Sequence, residues 1–327
     1  MNGKAVVLGA SGFLGSHIVL ALLKQGRDVR AMVRNTSDTS VTANTGVSYC
    51  YGDIHDEAAL RNAMQGCDTV YHCVVDTRAW LRDPAPLYQT NIEGLKTAMK
   101  AAADTGVKNY IFTSTYGTIG LNPSGVSTEA DAFNWWDDAP TYVRCRVEAE
   151  NLFFKLTEQH DLRGIACCVA NTYGANDIQP TPHGELIKNA SRGKIYIYWD
   201  GGGPCVGIAD AAKAMVLAEA HGQSGERYII ADRYLSYKEL FFAAATFGGS
   251  KPPKHMPGWA MRLLATLCDM YAAIAKKDIG LSREGLKCST LLPKVDSRKA
   301  QQALGWQPRP VMEEIEEAIA FYNRKRR

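Results

Sequence analysis

The segment Gly9-Ala10-Ser11-Gly12-Phe13-Leu14-Gly15 constrains this chain more than any other. It follows a short apolar run, Ala5 to Leu8, and opens a stretch to Gln25 with apolar residues at helical spacing, Leu14, Ile18, Ala21 and Leu22. An apolar run ended by glycine reads as a buried parallel strand, and Gly26 is a common kind of helix stop. The glycines therefore join a strand to a helix. One allows the tight turn, one lets backbone approach a pyrophosphate, and one lets helix pack on strand. The helix start adds free N–H groups and a positive dipole end. This context predicts a dinucleotide site at Gly9, Ser11, Gly12, Phe13, Leu14 and Gly15.

Alternation continues downstream. Strands are expected at 29–33, 47–51, 69–75, 110–113 and 164–169, with helices at 57–64, 87–105 and 142–160. Strict strand–helix alternation implies an α/β, Rossmann-type, doubly wound parallel sheet. After Tyr173 proline and glycine become frequent, and the pattern loosens. Residues 226–230 read as a strand returning to the sheet. The expected division is a dinucleotide-binding domain over 1–175, with 205–235 returning to it. A smaller, mostly helical substrate lobe would comprise 176–204 and 236–327.

The bulk composition narrows the partners. The 327 residues carry a net charge of +3, which does not suggest an electrostatic nucleic-acid binder. The basic tail Arg324-Lys325-Arg326-Arg327 reads as solvated. None of the nine cysteines forms a Cys-x-x-Cys pair, and Gly3-Lys4 leads directly into the first strand. Reduced thiols and a cytoplasmic setting are expected. No segment reaches transmembrane length without charges. Met256 to Lys276, interrupted by Arg262 and Asp269, reads as an amphipathic helix after a Pro-Gly break. It suits a core or substrate-lid helix, with weak membrane-surface contact as the alternative. His72 and His183 lack partners at ligand spacing, so no metal site is expected.

The second strand ends without the acid that NAD readers place there to bond the ribose 2′-hydroxyl. Arg34 follows it instead and can pair with a 2′-phosphate, which favours NADP over NAD. Asp53, after the third strand, is expected at the adenine, because Asp56 is the better cap for the helix starting at Glu57.

Several segments stand in order and spacing along the chain: the Gly9 turn, Gly52-Asp53-Ile54, His72-Cys73-Val74-Val75, Phe112-Thr113-Ser114-Thr115 and Tyr142-x-x-x-Arg146. Through them it resembles the extended short-chain dehydrogenases/reductases. Val70 to Trp80, Arg82-Asp83-Pro84, Asn91-Ile92-Glu93-Gly94, Asp177 to Pro182 and Gly225 to Ile230 carry a closer resemblance. It is to the dihydroflavonol-4-reductase, 3β-hydroxysteroid dehydrogenase and hopanoid-associated sugar epimerase-like branch. The resemblance implies Tyr142 as acid/base and Thr115 as the hydroxyl that holds the substrate oxygen. It further implies cofactor contacts at Ile54, Val74, Val75, Asn91, Thr113, Val169, Asn171 and Thr172. Dimerisation through helices 87–105 and 142–160 is implied likewise.

A phenol is a weak acid/base at its ordinary pKa of about 10, and a cation at i+4 stabilises the phenolate. The family holds Lys at that position; here it is Arg146. Arginine keeps the charge and can bond ribose hydroxyls, but it does not readily release a proton. Val74-Val75 stands where the family usually ends in two alanines, and Cys168-Val169 where it has Asn-Pro.

Candidate substrate contacts are Asp76, Trp80, Tyr116, Trp135, Trp136, Tyr173 and Pro182. Aromatics dominate, which suits a flat or apolar carbonyl compound. The expected activity is an NADP(H)-dependent oxidoreductase interconverting a ketone or aldehyde and an alcohol on an aromatic, steroid-like or isoprenoid substrate. The alternatives are a sugar epimerase or dehydratase that retains NAD, and a noncatalytic NADP-binding protein.

Overall fold

The computed structural model describes residues 3–324, so the last residues of the basic tail, 325–327, lie outside it. In chain order, the first half runs β1 (Ala5–Leu8), α1 (Phe13–Lys24), β2 (Val29–Val33), β3 (Ser48–Tyr51), α2 (Glu57–Met64) and β4 (Thr69–His72). It continues through α3 (Ala85–Tyr88), a π turn (Gln89–Glu93), α4 (Gly94–Asp104), β5 (Asn109–Thr115), α5 (Thr141–Gln159), β6 (Arg163–Val169) and β7 (Asn171–Tyr173). The remainder comprises α6 (Pro182–Ser191), β8 (Ile197–Tyr198), β9 (Gly202–Gly207), α7 (Ile208–His221), β10 (Arg227–Ile230), β11 (Arg233–Ser236) and α8 (Tyr237–Gly248). β12 (Lys254–His255), α9 (Gly258–Ala275), α10 (Arg283–Thr290), α11 (Arg298–Leu304) and α12 (Val311–Arg324) complete it.

Seven strands form one parallel sheet in the order β10-β6-β5-β4-β1-β2-β3. Strands β1 and β4 are buried throughout, as expected where both faces of a sheet are covered. One face carries α1 and α7 over Val7, Ile18, Leu22, Ile165 and Met215. The other carries α2, α4 and α5 over Leu8, Leu60, Leu95, Phe112 and Phe153. Strand order reverses between β1 and β4, which is where such sheets open a crevice at their carboxyl edge.

Two expected elements differ. Strand β4 stops at His72 rather than Val75, because residues 73–80 leave the sheet to line that crevice. The helix expected over 87–105 is interrupted by the π turn that contains Asn91. The later part of the chain is mostly helical, as expected, and adds two small sheets. These are a three-stranded sheet, β11-β9-β7, and the pair β12-β8. β9 reads as a loop in sequence because it is Gly202-Gly203-Pro204 at its start. Those glycines are required by packing: a Cβ on Gly203 would stand 2.7 Å from Asn171 Nδ2, and one on Gly202 would stand 2.2 Å from the Leu235 carbonyl. Among the described residues no helix is long and apolar enough to cross a membrane.

Candidate active site

The glycine turn makes an open cradle at the end of β1. Gly9 is left-handed, at φ +76°, and a Cβ there would come within 3.1 Å of the Cys73 carbonyl and of Val74 Cγ2. A Cβ on Gly15 would stand 2.3 Å from the Gly9 carbonyl oxygen. Helix α1 starts after exposed Gly12 with no side chain capping it, so its first N–H groups are left for an anion. Ser11, Phe13 and Leu14 are half-buried around this turn, Val74 approaches Gly9, and Val75 is half-buried beyond it. The geometry fits a dinucleotide pyrophosphate.

Arg34 is exposed just beyond β2, and its guanidinium forms no hydrogen bond or ion pair among the described residues. Asp53 is exposed beyond β3, its carboxylate accepting from the His55 N–H at 3.1 Å and lying 4.0 Å from the His55 ring nitrogen. Asp56 caps α2 by accepting from the Ala59 N–H at 3.0 Å, as expected. The Ile54 side chain is buried in the core against Gly94.

The candidate reacting groups lie at the carboxyl end of β5 and in the first turns of α5, which packs on β5. Thr115 ends β5, half-buried, and its hydroxyl oxygen accepts from the Gly117 N–H at 3.2 Å. Tyr142 is half-buried in the first turn of α5. Burial pushes its phenol above the ordinary value, and the Arg146 charge opposes that rise. Arg146 is only 1% exposed. It donates from Nη2 to the Thr113 carbonyl at 2.5 Å, with its guanidinium carbon 5.2 Å from the Phe112 ring centre, while its Nε–H has no partner. The Thr113 hydroxyl turns away, toward Cys73 and Met215 sulfurs.

Asn91 is buried in the π turn. It accepts from the Asp76 N–H and donates to the Asp76 carbonyl, both at 3.1 Å, so the π turn fixes the loop after β4. Burial raises the Asp76 carboxyl, but the fork of Arg78 on both its oxygens outweighs this and holds it below the usual range. Trp80 and Pro182 are half-buried, Pro182 as the first residue of α6. Tyr116 and Tyr173, expected in the pocket, are buried in the core, Tyr116 donating to Asn171 Oδ1 at 3.4 Å. Trp135 packs with Ala139, Val143 and Tyr142, whereas Trp136 is exposed against Phe133. Val169 is buried at the end of β6, and Asn171 and Thr172 are half-buried in β7.

Sequence reasoning missed one cluster behind these groups. Buried Glu150 accepts from Ser114, from Thr118 at 3.0 Å and from Arg227 at 3.1 Å. Its signal was present: Glu150 follows Arg146 and Tyr142 at successive i+4 steps, on one face of α5. His72 is buried at the end of β4. It bonds the Tyr110 hydroxyl at 2.7 Å and the Val74 carbonyl at 3.2 Å. A concavity of about 410 Å³ lined by Gly3, Arg27, Asp68 and Glu219 lies at the opposite, amino end of the strands, where Arg27 and Glu219 pair with each other.

Comparison with known proteins agrees with this geometry. The profile of the NAD dependent epimerase/dehydratase family matches residues 5–231. The chain is 25% identical to sterol demethylase protein B of Methylococcus capsulatus, covering 98% of both chains. It is 26% identical to a putative dihydroflavonol 4-reductase of Synechocystis, covering 97% of this chain and 93% of that one. The crystal structure of gox2253 superposes with a TM-score of 0.87 at 29% identity over 99% of each chain. Reductases and sugar epimerases both occur among the relatives.

Proposed function

Because the chain belongs to the NAD-dependent epimerase/dehydratase family, whose members are NAD(P)-dependent enzymes, we propose that it is an NADP(H)-dependent oxidoreductase interconverting a ketone or aldehyde and an alcohol on an apolar substrate. The observation that supports this reading is that Arg146, one helical turn along α5 from Tyr142, donates to the Thr113 carbonyl of β5, two residues before Thr115. The Gly9 cradle would hold the pyrophosphate, Arg34 the 2′-phosphate, and Asp53 the adenine. A nicotinamide, when bound, supplies or accepts a hydride. Tyr142 then gives a proton to the carbonyl oxygen, or takes one from the alcohol, while the Thr115 hydroxyl orients that oxygen. Arg146 acts through its charge and stays out of proton relay.

The apolar substrate class is supported by Trp135, which packs with Tyr142, and by a relative whose name refers to sterols. Tyr142→Phe tests the assignment. NADPH-driven reduction across a panel of aromatic, steroid and isoprenoid ketones should fall at least about a hundredfold, with NADPH binding retained. Full turnover in the variant would end it. The sugar-epimerase alternative predicts tightly retained NAD in the purified protein, visible in its absorbance.

A further inference from the structure

Helix α9 buries one face and leaves the other bare. Met261, Ala265 and Ala272 point inward. Trp259, Leu263, Leu267, Met270 and Ile274, spaced by four, four, three and four residues, lie on the outer side and are 53–82% exposed. Tyr271 flanks them at 61%. The stripe runs about 22 Å along the helix. Soluble surfaces rarely carry so contiguous an apolar strip without a partner.

The surroundings of the stripe choose the partner. Residues 251–283 hold six basic residues, Lys251, Lys254, Arg262, Lys276, Lys277 and Arg283, against two acidic ones, Asp269 and Asp278. The other residues of the chain, thirty-one basic against thirty-two acidic, are slightly negative. Asp269 is paired with Arg283 at 2.8 Å, and Asp278 accepts from the Arg82 N–H at 3.1 Å. An apolar face with Trp at one end, set in a positive field, matches an interfacial helix on anionic lipid. A second copy of this face would meet it with like charge. We propose that α9 docks the protein on an anionic lipid surface, lying in the interface rather than spanning it.

The docked face adjoins the site. Arg82, on the loop from Asp76, donates from Nη1 to the Ala272 carbonyl at 3.3 Å. Helix α10, tied to α9 through Arg283, brings Cys288 into the cluster that holds Tyr142. An apolar substrate dissolved in the bilayer would therefore reach the pocket without crossing water. That consequence rests on the proposed substrate class; the docking does not.

The test is flotation of the full-length protein with vesicles of phosphatidylcholine alone and of phosphatidylcholine mixed with phosphatidylglycerol. Wild type should float with the mixed vesicles, less so as salt rises, and only weakly with the neutral ones. The double variant Leu267→Gln/Ile274→Gln, altered only at exposed positions, should keep its melting temperature and lose about tenfold in binding. Failure of wild type to float with either vesicle overturns the proposal, as does undiminished binding by the variant. A wild-type dimer that the variant converts to monomer, with no flotation, assigns the face to a second copy instead. No arm depends on turnover, so the oxidoreductase reading stands or falls separately.

Discussion

Arg146 lies one turn along α5 from Tyr142, and its charge opposes the rise that burial imposes on the Tyr142 phenol. Replacing it with Met removes the opposing charge, so the phenol titrates higher still. Alcohol oxidation, which needs the deprotonated phenol, should show its alkaline-rising limb displaced upward by about one pH unit. Arg146→Lys keeps the charge and should leave the limb close to wild type. The pH profile of kcat/KM for oxidation decides it. An unmoved limb in Arg146→Met would mean that this cation does not act on Tyr142.

Arg34 stands exposed, its guanidinium without a partner among the described residues, where an NAD reader has an acid. A charge-assisted contact to a 2′-phosphate contributes about 1.5–3 kcal/mol. Arg34→Gln should therefore weaken NADPH at least about tenfold while leaving NADH within about twofold. Calorimetric titration of both nucleotides measures it, and equal losses for the two would return the preference to NAD.

Gly15→Ala places a methyl 2.3 Å from the Gly9 carbonyl oxygen, against backbone that cannot yield. The helix must move off the turn, at about 1–3 kcal/mol of stability, and dinucleotide affinity should collapse with it. Gly46→Ala is the control: its φ is also +76°, but no atom lies within 4 Å of the added carbon. It should cost about 1 kcal/mol in thermal unfolding and nothing in binding.

The phosphate-end turn was legible in sequence because its requirement is local: two glycines join one strand to the next helix and a third lies in the first turn of that helix. The seven-stranded sheet was legible for a similar reason, since burial on both faces writes apolar runs such as Val6-Val7-Leu8. The pocket was not. Tyr116 and Tyr173 look like pocket aromatics until β9 packs on β7 and buries them, and β9 hides behind its glycines. Asn91 has the right place but acts on the Asp76 backbone, a role set by a π turn that periodicity does not reveal. Glu150 was overlooked because its partners Ser114 and Arg227 come from strands distant in sequence.

His72 gives the last expectation. It is 1% exposed between the Tyr110 hydroxyl and the Phe112 ring. Desolvation, aided by the Arg146 charge, pushes its imidazole down to about 3. In the unfolded chain the same group titrates near 6.5. Below about pH 6.5 the unfolded state therefore takes up a proton that the folded state refuses until near pH 3. The contribution is fully present above pH 6.5 and is lost as pH falls toward 3, at about 1.4 kcal/mol per pH unit. His72→Phe keeps the apolar packing and gives up the bonds to Tyr110 and to the Val74 carbonyl, so it lowers stability at pH 7. It also removes the titration. Urea unfolding at pH 7, 6 and 5 should thus give a variant that starts less stable but loses stability more slowly with acid. Other groups, such as buried Asp177, titrate in both proteins and cancel in the comparison. Parallel slopes for the two proteins would show that His72 is protonated in the fold.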